Sequence, residues 1–145
     1  MAEIRFAREE DFPRLAELER LCFSTPWSEL SFADFARHGG LILTAGENGG
    51  ISGYITVLFA ADEGEIANLA TDPGARRRGI ASRLLAAAEE QAASRGVKTL
   101  FLEVRVSNEG AIALYEKAAY GAVGRRKNFY QFPTEDALLY RKDLL

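Results

Sequence analysis

The sequence predicts an α/β fold, α+β in some classifications: a mixed, mostly antiparallel sheet of about seven strands with a parallel central pair, and about four helices. Residues 41–70 indicate a strand meander, because the turns at 47–50 and 61–64 are rich in residues that accept a positive φ or break a strand. Residues 80–92 carry apolar side chains at close to 3.6-residue spacing, which predicts a long helix. A strand over 99–106 follows, and a crossover helix makes the flanking strands parallel.

Length and composition narrow the class of protein. The 145 residues suffice for a sizeable core, and we expect residues 1–145 to form one domain. A net charge of −3 disfavours a nucleic-acid partner, and no apolar run is long enough to predict a membrane-spanning segment. Cys22 is the only cysteine and cannot form an intrachain disulfide, so we expect a cytoplasmic protein. His38 is the only histidine, and we expect no metal site.

The first elements are a strand and two helices. Residues 4–6 alternate as a strand does, and residues 11–22 predict a helix with Pro13 in its first turn. The inward side of this helix would carry Phe12, Leu15, Leu18 and either Leu21 or Cys22, the last as a core residue rather than a nucleophile. Ser28 can cap a short second helix that contains Leu30, Phe32 and Phe35. Trp27 precedes this cap and is either a lid on the core or a contact to a substrate.

The later elements follow from their turn and cap residues. Strands are predicted over 41–45, 51–59 and 65–70, and Gly96 ends the long helix. Ser107 or Asn108 can cap a further helix. Its buried side would carry Ala111, Leu114, Tyr115 and Ala118. Two closing strands, 120–123 and 137–141, would pair as a hairpin around residues 128–136.

A basic loop before the long helix predicts an anion site. Asp72, Pro73 and Gly74 end the preceding strand, and three arginines lead to Gly79 at the helix start. Helix N-termini attract phosphate, and a glycine lets phosphate approach the backbone. The ligand would then carry a pyrophosphate; the alternative is a solvated basic turn. The pattern matches neither the P-loop nor the dinucleotide-binding fingerprint.

Two side chains are candidates for proton transfer. Alternation along the 99–106 strand puts Glu103 on the same face as Phe101 and Arg105. A carboxylate there is either paired in a salt bridge with a neighbour such as Arg105 or acts as a general base with a raised pKa. Tyr115 lies two helical turns after Asn108, about 10 Å along the axis, and could meet a ligand that also contacts Asn108. Alternatively, Tyr115 is a core aromatic residue with its hydroxyl at the surface.

The basic loop and three other segments resemble those of a known family. Arg76-Arg77-Arg78-Gly79-Ile80-Ala81 resembles the acetyl-CoA signature Arg/Gln-x-x-Gly-x-Gly/Ala of the GNAT acyltransferase superfamily. Residues 103–117, 23–28 and 124–130 with 135–138 resemble, in register, the ribosomal-protein alanine N-acetyltransferases of this superfamily. The resemblance implies the GNAT fold, acetyl-CoA as cosubstrate, and a ribosomal or other protein N-terminus as acceptor. Lysine side chains or a small amine are the alternative acceptors, and a non-catalytic CoA-binding module is the alternative class.

The resemblance also implies residue roles. Glu103 would be the general base, acting on the amine through a water molecule, and Tyr115 would be the general acid that protonates the leaving thiolate. The cofactor would be held by Leu69, Ala70, Thr71, Arg76, Arg77, Arg78, Gly79, Ile80, Ala81, Ser82 and Asn108. Phe129 stands where the family usually has the first of two tyrosines, so Tyr130 is the candidate, with Trp27, for substrate contact.

Overall fold

A seven-stranded sheet organises the protein, and the computed structural model describes residues 2–144 of it. The strands are β1 (Glu3–Phe6), β2 (Leu41–Gly46), β3 (Gly53–Ala60), β4 (Glu63–Thr71), β5 (Thr99–Arg105), β6 (Gly121–Tyr130) and β7 (Glu135–Asp143). Their order across the sheet is β1-β2-β3-β4-β5-β7-β6. Only β4 and β5 pair in parallel, and the other neighbours are antiparallel. The predicted mixed sheet with a parallel central pair is confirmed.

Helices cover both faces of the sheet. They are α1 (Phe12–Cys22), α2 (Glu29–Arg37), α3 (Ile80–Ser94) and α4 (Glu109–Lys117), with single 3₁₀ turns at Glu9–Asp11 and Pro73–Ala75. The apolar positions that the spacing predicts on α3 are all buried, in the cluster that also contains Ile55 and Leu102. These positions are Ile80, Leu84, Leu85, Ala88 and Ala92. Residues of α1 and α2 pack in a second cluster, around Tyr54. No helix in the described chain is both long and apolar enough to span a membrane.

The C-terminal hairpin differs from its predicted form. Strand β6 continues to Tyr130, so the turn comprises only residues 131–134 instead of 128–136. The pairing of β6 with β7 is irregular on either side of Arg125, and nine of its ten residues are exposed. An exposed edge strand with a run of polar residues shows no alternation, so its length was not visible in the sequence.

The structure decides one open helix prediction and corrects another. On α1, Leu21 is exposed, and Cys22 is the inward residue, half-buried against the cluster around Tyr54. On α4, Tyr115 is the buried residue, whereas Ala111, Leu114 and Ala118 are only partly buried. A short helix at the margin of a sheet buries a narrower stripe than one that crosses its centre.

Candidate functional site

The site is an opening between β4 and β5. These strands pair from Glu63–Thr99 to Ile66–Leu102, and no further. Beyond that point β4 stays paired with β3, and β5 stays paired with β7. The backbone of residues 68–71 therefore faces that of residues 103–105 across a gap with no ladder between them. Such a gap offers unpaired backbone groups to a ligand.

A β-bulge in β4 lies at the start of this opening. Val57 pairs with Ile66 and Thr56 pairs with Asn68, so Ala67 is an extra residue on β4. The hydroxyl of buried Thr56 accepts a hydrogen bond from the backbone N–H of Asn68 (2.9 Å). Bulges bend a strand and re-aim the side chains that follow. After this one, Leu69 packs into the α3 cluster and Ala70 into the α1–α2 cluster.

The backbone of the predicted anion loop, residues 72–79, leaves room for an anion to approach it closely. Asp72 accepts a hydrogen bond from the N–H of Gly74 (2.9 Å) and forms an ion pair with Arg14 (2.7 Å), which fixes the start of the loop. Arg77 and Gly79 both have positive φ, 68° and 74°, and Gly79 is the N-cap of α3. Where a residue of positive φ alternates with residues of helical conformation, successive backbone N–H groups point into one concave surface that can bind an anion. The loop and the first turn of α3 together can hold an anion.

Glu103 lies on the half-buried face of β5 with Phe101 and Arg105, as alternation predicted. It does form a salt bridge, but its partner is Arg126 of β6 (Nε to Oε2, 3.2 Å) and not Arg105. The contact does not reach hydrogen-bond geometry, and Oε2 is buried without a hydrogen-bond partner among residues 2–144. Burial raises the pKa of Glu103, Arg126 opposes this, and nearby Glu65 adds to it. A carboxylate with a raised pKa suits general base chemistry.

Tyr115 of α4 is the second candidate for proton transfer. It is 7% exposed, and its ring meets that of Tyr120 edge to face at 5.8 Å between centroids. Burial raises its pKa, and Tyr130 contributes in the same direction. A phenol in this environment stays protonated at neutral pH and can donate a proton. The packing of a core aromatic residue and the role of an acid are therefore compatible.

Tyr130 stands near both groups. Burial and then Glu103 raise its pKa to about 12, while Arg105 opposes them. The Arg105 guanidinium lies 4.5 Å from the centre of the Tyr130 ring, a cation–π contact that fixes the ring. Tyr130 of the hairpin thus interacts electrostatically with Glu103 of β5 and with Tyr115 of α4.

Arg105 joins the two loops that flank the opening, a role the sequence analysis missed. It donates hydrogen bonds to the carbonyls of Gln131 (2.8 Å) and Pro133 (3.0 Å) in the β6–β7 turn and pairs with Glu135 (3.1 Å). It also donates to Ser24 Oγ (3.1 Å), in the segment between α1 and α2. An arginine has five donors in a fixed fork, and here they hold two loops with no sequence proximity.

Two further predicted residues have observed structural contacts. Trp27 is half-buried and packs on Phe32 and Phe35, each with a centroid distance of 5.2 Å. Asn108 caps α4, with its side-chain oxygen accepting from the N–H of Ala111 (3.1 Å). Both contacts are intramolecular, so a role in binding substrate or cofactor stays a prediction for each.

Glu19 of α1 is a buried carboxylate behind the bulge. It is fully buried; Oε1 accepts a hydrogen bond from the side-chain amide of Asn68, and Oε2 has no hydrogen-bond partner among residues 2–144. Burial raises its pKa to about 7, and the neighbouring polar groups of Tyr54, Asn68 and Trp27 oppose this rise. Its position was visible in the sequence, because a residue four after Leu15 falls on the apolar stripe of the helix.

Comparisons with known proteins show the family to which the chain belongs. Residues 12–120 match the family model described as the acetyltransferase (GNAT) family. The chain is 36% identical over 126 residues to the [ribosomal protein bS18]-alanine N-acetyltransferase of Escherichia coli (strain K12), covering 87% of this chain and 84% of the relative. It is 33% identical over 144 residues to a putative enzyme of that name from Bacillus subtilis (strain 168), covering 95% and 93%.

A solved structure extends the likeness to the fold. The crystal structure of the ribosomal-protein-S18-alanine N-acetyltransferase from Escherichia coli superposes with a TM-score of 0.92. Sequence identity over this match is 32%, and it covers 99% of this chain and 94% of that one.

Replacing Glu19 tests whether burial raises the pKa of its carboxyl group. Its pKa rises on folding from 4.5 to about 7, so the native state binds the proton more tightly and stability is lost as pH rises through 7. Glu19→Gln has no such proton. Relative to this variant, the wild-type free energy of unfolding should fall by about 2–3 kcal/mol between pH 5 and pH 8. Chemical denaturation at several pH values measures it.

The matched control is Glu17→Gln, on the exposed side of the same helix. Its stability difference from the wild type should show no comparable dependence on pH. Parallel pH profiles for Glu19→Gln and the wild type would contradict the assignment.

Proposed function

Since this chain belongs to the acetyltransferase (GNAT) family, we propose that it transfers the acetyl group of acetyl-CoA to the N-terminal α-amine of a protein, a ribosomal protein beginning with alanine. One observation carries the proposal. Glu103 directly follows the last residue pair of β4 and β5, Tyr130 interacts with both Glu103 and Tyr115, and the loop after β4 leads through two residues of positive φ into α3. A base, an acid and an anion site in one place are the parts that acyl transfer from a CoA thioester needs.

The cofactor would lie along the edge of β4 and end at α3. The backbone of Leu69, Ala70 and Thr71 would pair with the pantetheine arm, because β5 leaves this edge without a ladder partner. The pyrophosphate would meet the loop and helix start formed by Arg76, Arg77, Arg78, Gly79, Ile80, Ala81 and Ser82. Asn108 would contact the cofactor from the start of α4, using the amide nitrogen that its capping bond does not employ. Acetyl-CoA supplies the activated acetyl thioester.

The proposed chemistry is direct attack by the amine. A peptide α-amine has a pKa near 8, so about a tenth is neutral at pH 7, whereas a lysine near 10.4 is almost fully charged. Glu103 takes the amine proton through a water molecule as the nitrogen–carbon bond forms and the carbon–sulfur bond breaks. A backbone N–H of residues 69–71 stabilises the charge on the acetyl oxygen. Tyr115 donates its proton to the departing sulfur. Cys22 takes no part.

The first residue of the acceptor peptide would lie at Glu103, between the two loops that Arg105 joins. Tyr130 forms one side of this mouth, where Phe129 offers no hydroxyl, and Trp27 lies in the segment on the other side. Loops fixed by hydrogen bonds cost less ordering entropy when a peptide binds.

Removing the two proton-transfer groups tests the roles. Glu103→Gln and Tyr115→Phe should each lower kcat by about 10²–10⁴-fold, because each removes one proton transfer, while the Kd for acetyl-CoA stays unchanged. In the wild type kcat/KM should rise with pH through the pKa of Glu103, which lies above that of an ordinary glutamate. Glu103→Gln should lack this acid limb. Steady-state kinetics and calorimetry measure both.

Tyr120→Phe is the control for Tyr115→Phe. It removes a buried hydroxyl that donates to Glu89 (2.8 Å), on the ring that packs against Tyr115. We expect it to retain turnover. Equal loss of kcat in the two phenylalanine variants would contradict the role of acid for Tyr115.

Gly79→Ala tests the anion loop. An added Cβ meets no protein atom within 4 Å, but it would stand where phosphate must approach, and the residue has a φ of +74°. We expect the Kd for CoA to rise about tenfold or more by steric exclusion, while about 1–2 kcal/mol of backbone strain lowers the stability of the free and the bound protein alike.

Gly96→Ala provides the matched control. Gly96 also has a positive φ (+81°) and open space around its Cβ position, but it follows the C-terminal end of α3. It should lose similar stability and bind CoA normally. If both alanine variants weakened CoA binding equally, the loss would report strain in α3 and not a phosphate site.

A further inference from the structure

A groove of about 350 Å³ extends along the sheet from Glu103, on the face that carries α1 and α2 further along. Apolar side chains form much of it, among them Leu58, Phe101 and Leu139. Glu63 and Glu65 form its acidic wall. The groove is continuous with the proposed site because Glu103 lines it as well.

The charges of the groove are unbalanced. Glu63 and Glu65 are exposed and form no ion pair within residues 2–144, and Glu103 is the third carboxylate. Arg126 is the one cation among the lining residues, and it is already paired with Glu103. Arg141 lies 5.6 Å from the centre of the Phe101 ring at the rim, but it is paired with Asp143 (3.0 Å). An additional positive charge in the groove would therefore be attracted to Glu63 and Glu65.

The register places this acidic wall one or two residues from the reacting amine. Glu65 of β4 pairs with Phe101 of β5, and Glu103 lies two residues further along the same face. Two residues of extended chain span about 6.6 Å. A peptide with its α-amine at Glu103 that continues along the groove would bring its second or third residue over Phe101 and beside Glu65.

We propose that this groove binds the residues that follow the acetylated one, and that Glu65 selects a lysine or arginine at the second or third position of the substrate. The aliphatic stem of such a side chain packs on Phe101 and Leu58, and its charged end stays near Glu65 and Glu63 at the open side. This inference rests on the proposed function, because it takes the α-amine to lie at Glu103.

Peptides with one changed residue test the selection. A series of hexapeptides begins with alanine and carries lysine, alanine or glutamate at the second, third, fourth or fifth position, with the other positions neutral. With the wild type, kcat/KM should favour lysine over glutamate about three- to tenfold at the second or third position, as expected for a partly exposed charge pair. The preference should be absent at the fifth position.

Charge reversal gives the sharper result. Glu65 is exposed, so its variants should fold, and Glu65→Lys should reverse the preference to glutamate while Glu65→Gln abolishes it. Glu90→Lys makes the same change of charge on the exposed side of α3 and should leave the preference intact. An unchanged preference in Glu65→Lys, or no preference in the wild type, would overturn the inference while acetylation of the neutral peptide left the proposed function standing. Failure of every peptide to be acetylated would overturn both.

Discussion

The bulge at Ala67 is the constraint on which the site depends. It holds β4 against β3 while β5 keeps its full pairing with β7, and the two parallel strands consequently separate after Ile66 and Leu102. Buried polar groups hold the bulge: Thr56 accepts from the Asn68 N–H, and Glu19 accepts from the Asn68 side chain. A different register would cost the Thr56 hydroxyl and Oε1 of Glu19 these hydrogen bonds, which favours the bulged form.

The environment at the opening assigns different work to similar groups. Burial raises the pKa of both Glu103 and Tyr115, but the consequences differ because a carboxyl group ordinarily ionises below neutrality and a phenol far above it. The raised pKa suits the base proposed at Glu103, and it keeps the phenol of Tyr115 protonated for the proposed donation. Arg126 limits the rise at Glu103, and Glu65 adds to it, so the base is tuned from the edge strand on one side and from β4 on the other.

Local patterns predicted the elements that hold the site, and long-range contacts supplied what they could not. The apolar spacing of α3 and the alternation around Glu103 are confirmed in detail, since each depends on neighbours a few residues away. The ionic partner of Glu103 is on β6, and Arg105 joins loops at Ser24 and at residues 131–133. These partners are far from Glu103 and Arg105 in the sequence, so no local spacing pattern could predict them. The acidic wall at Glu65 likewise needed the register of β4 against β5.

Locating the transferred acetyl group tests the central claim most directly. Two peptides of identical sequence begin with alanine and carry one internal lysine, and one of them has its α-amine blocked. Mass spectrometry after incubation with acetyl-CoA should find the acetyl group on the free α-amine alone and no product from the blocked peptide, because Glu103 is a modest base suited to an α-amine. Equal acetylation of the lysine in both peptides would contradict the account and assign the protein to lysine-directed chemistry.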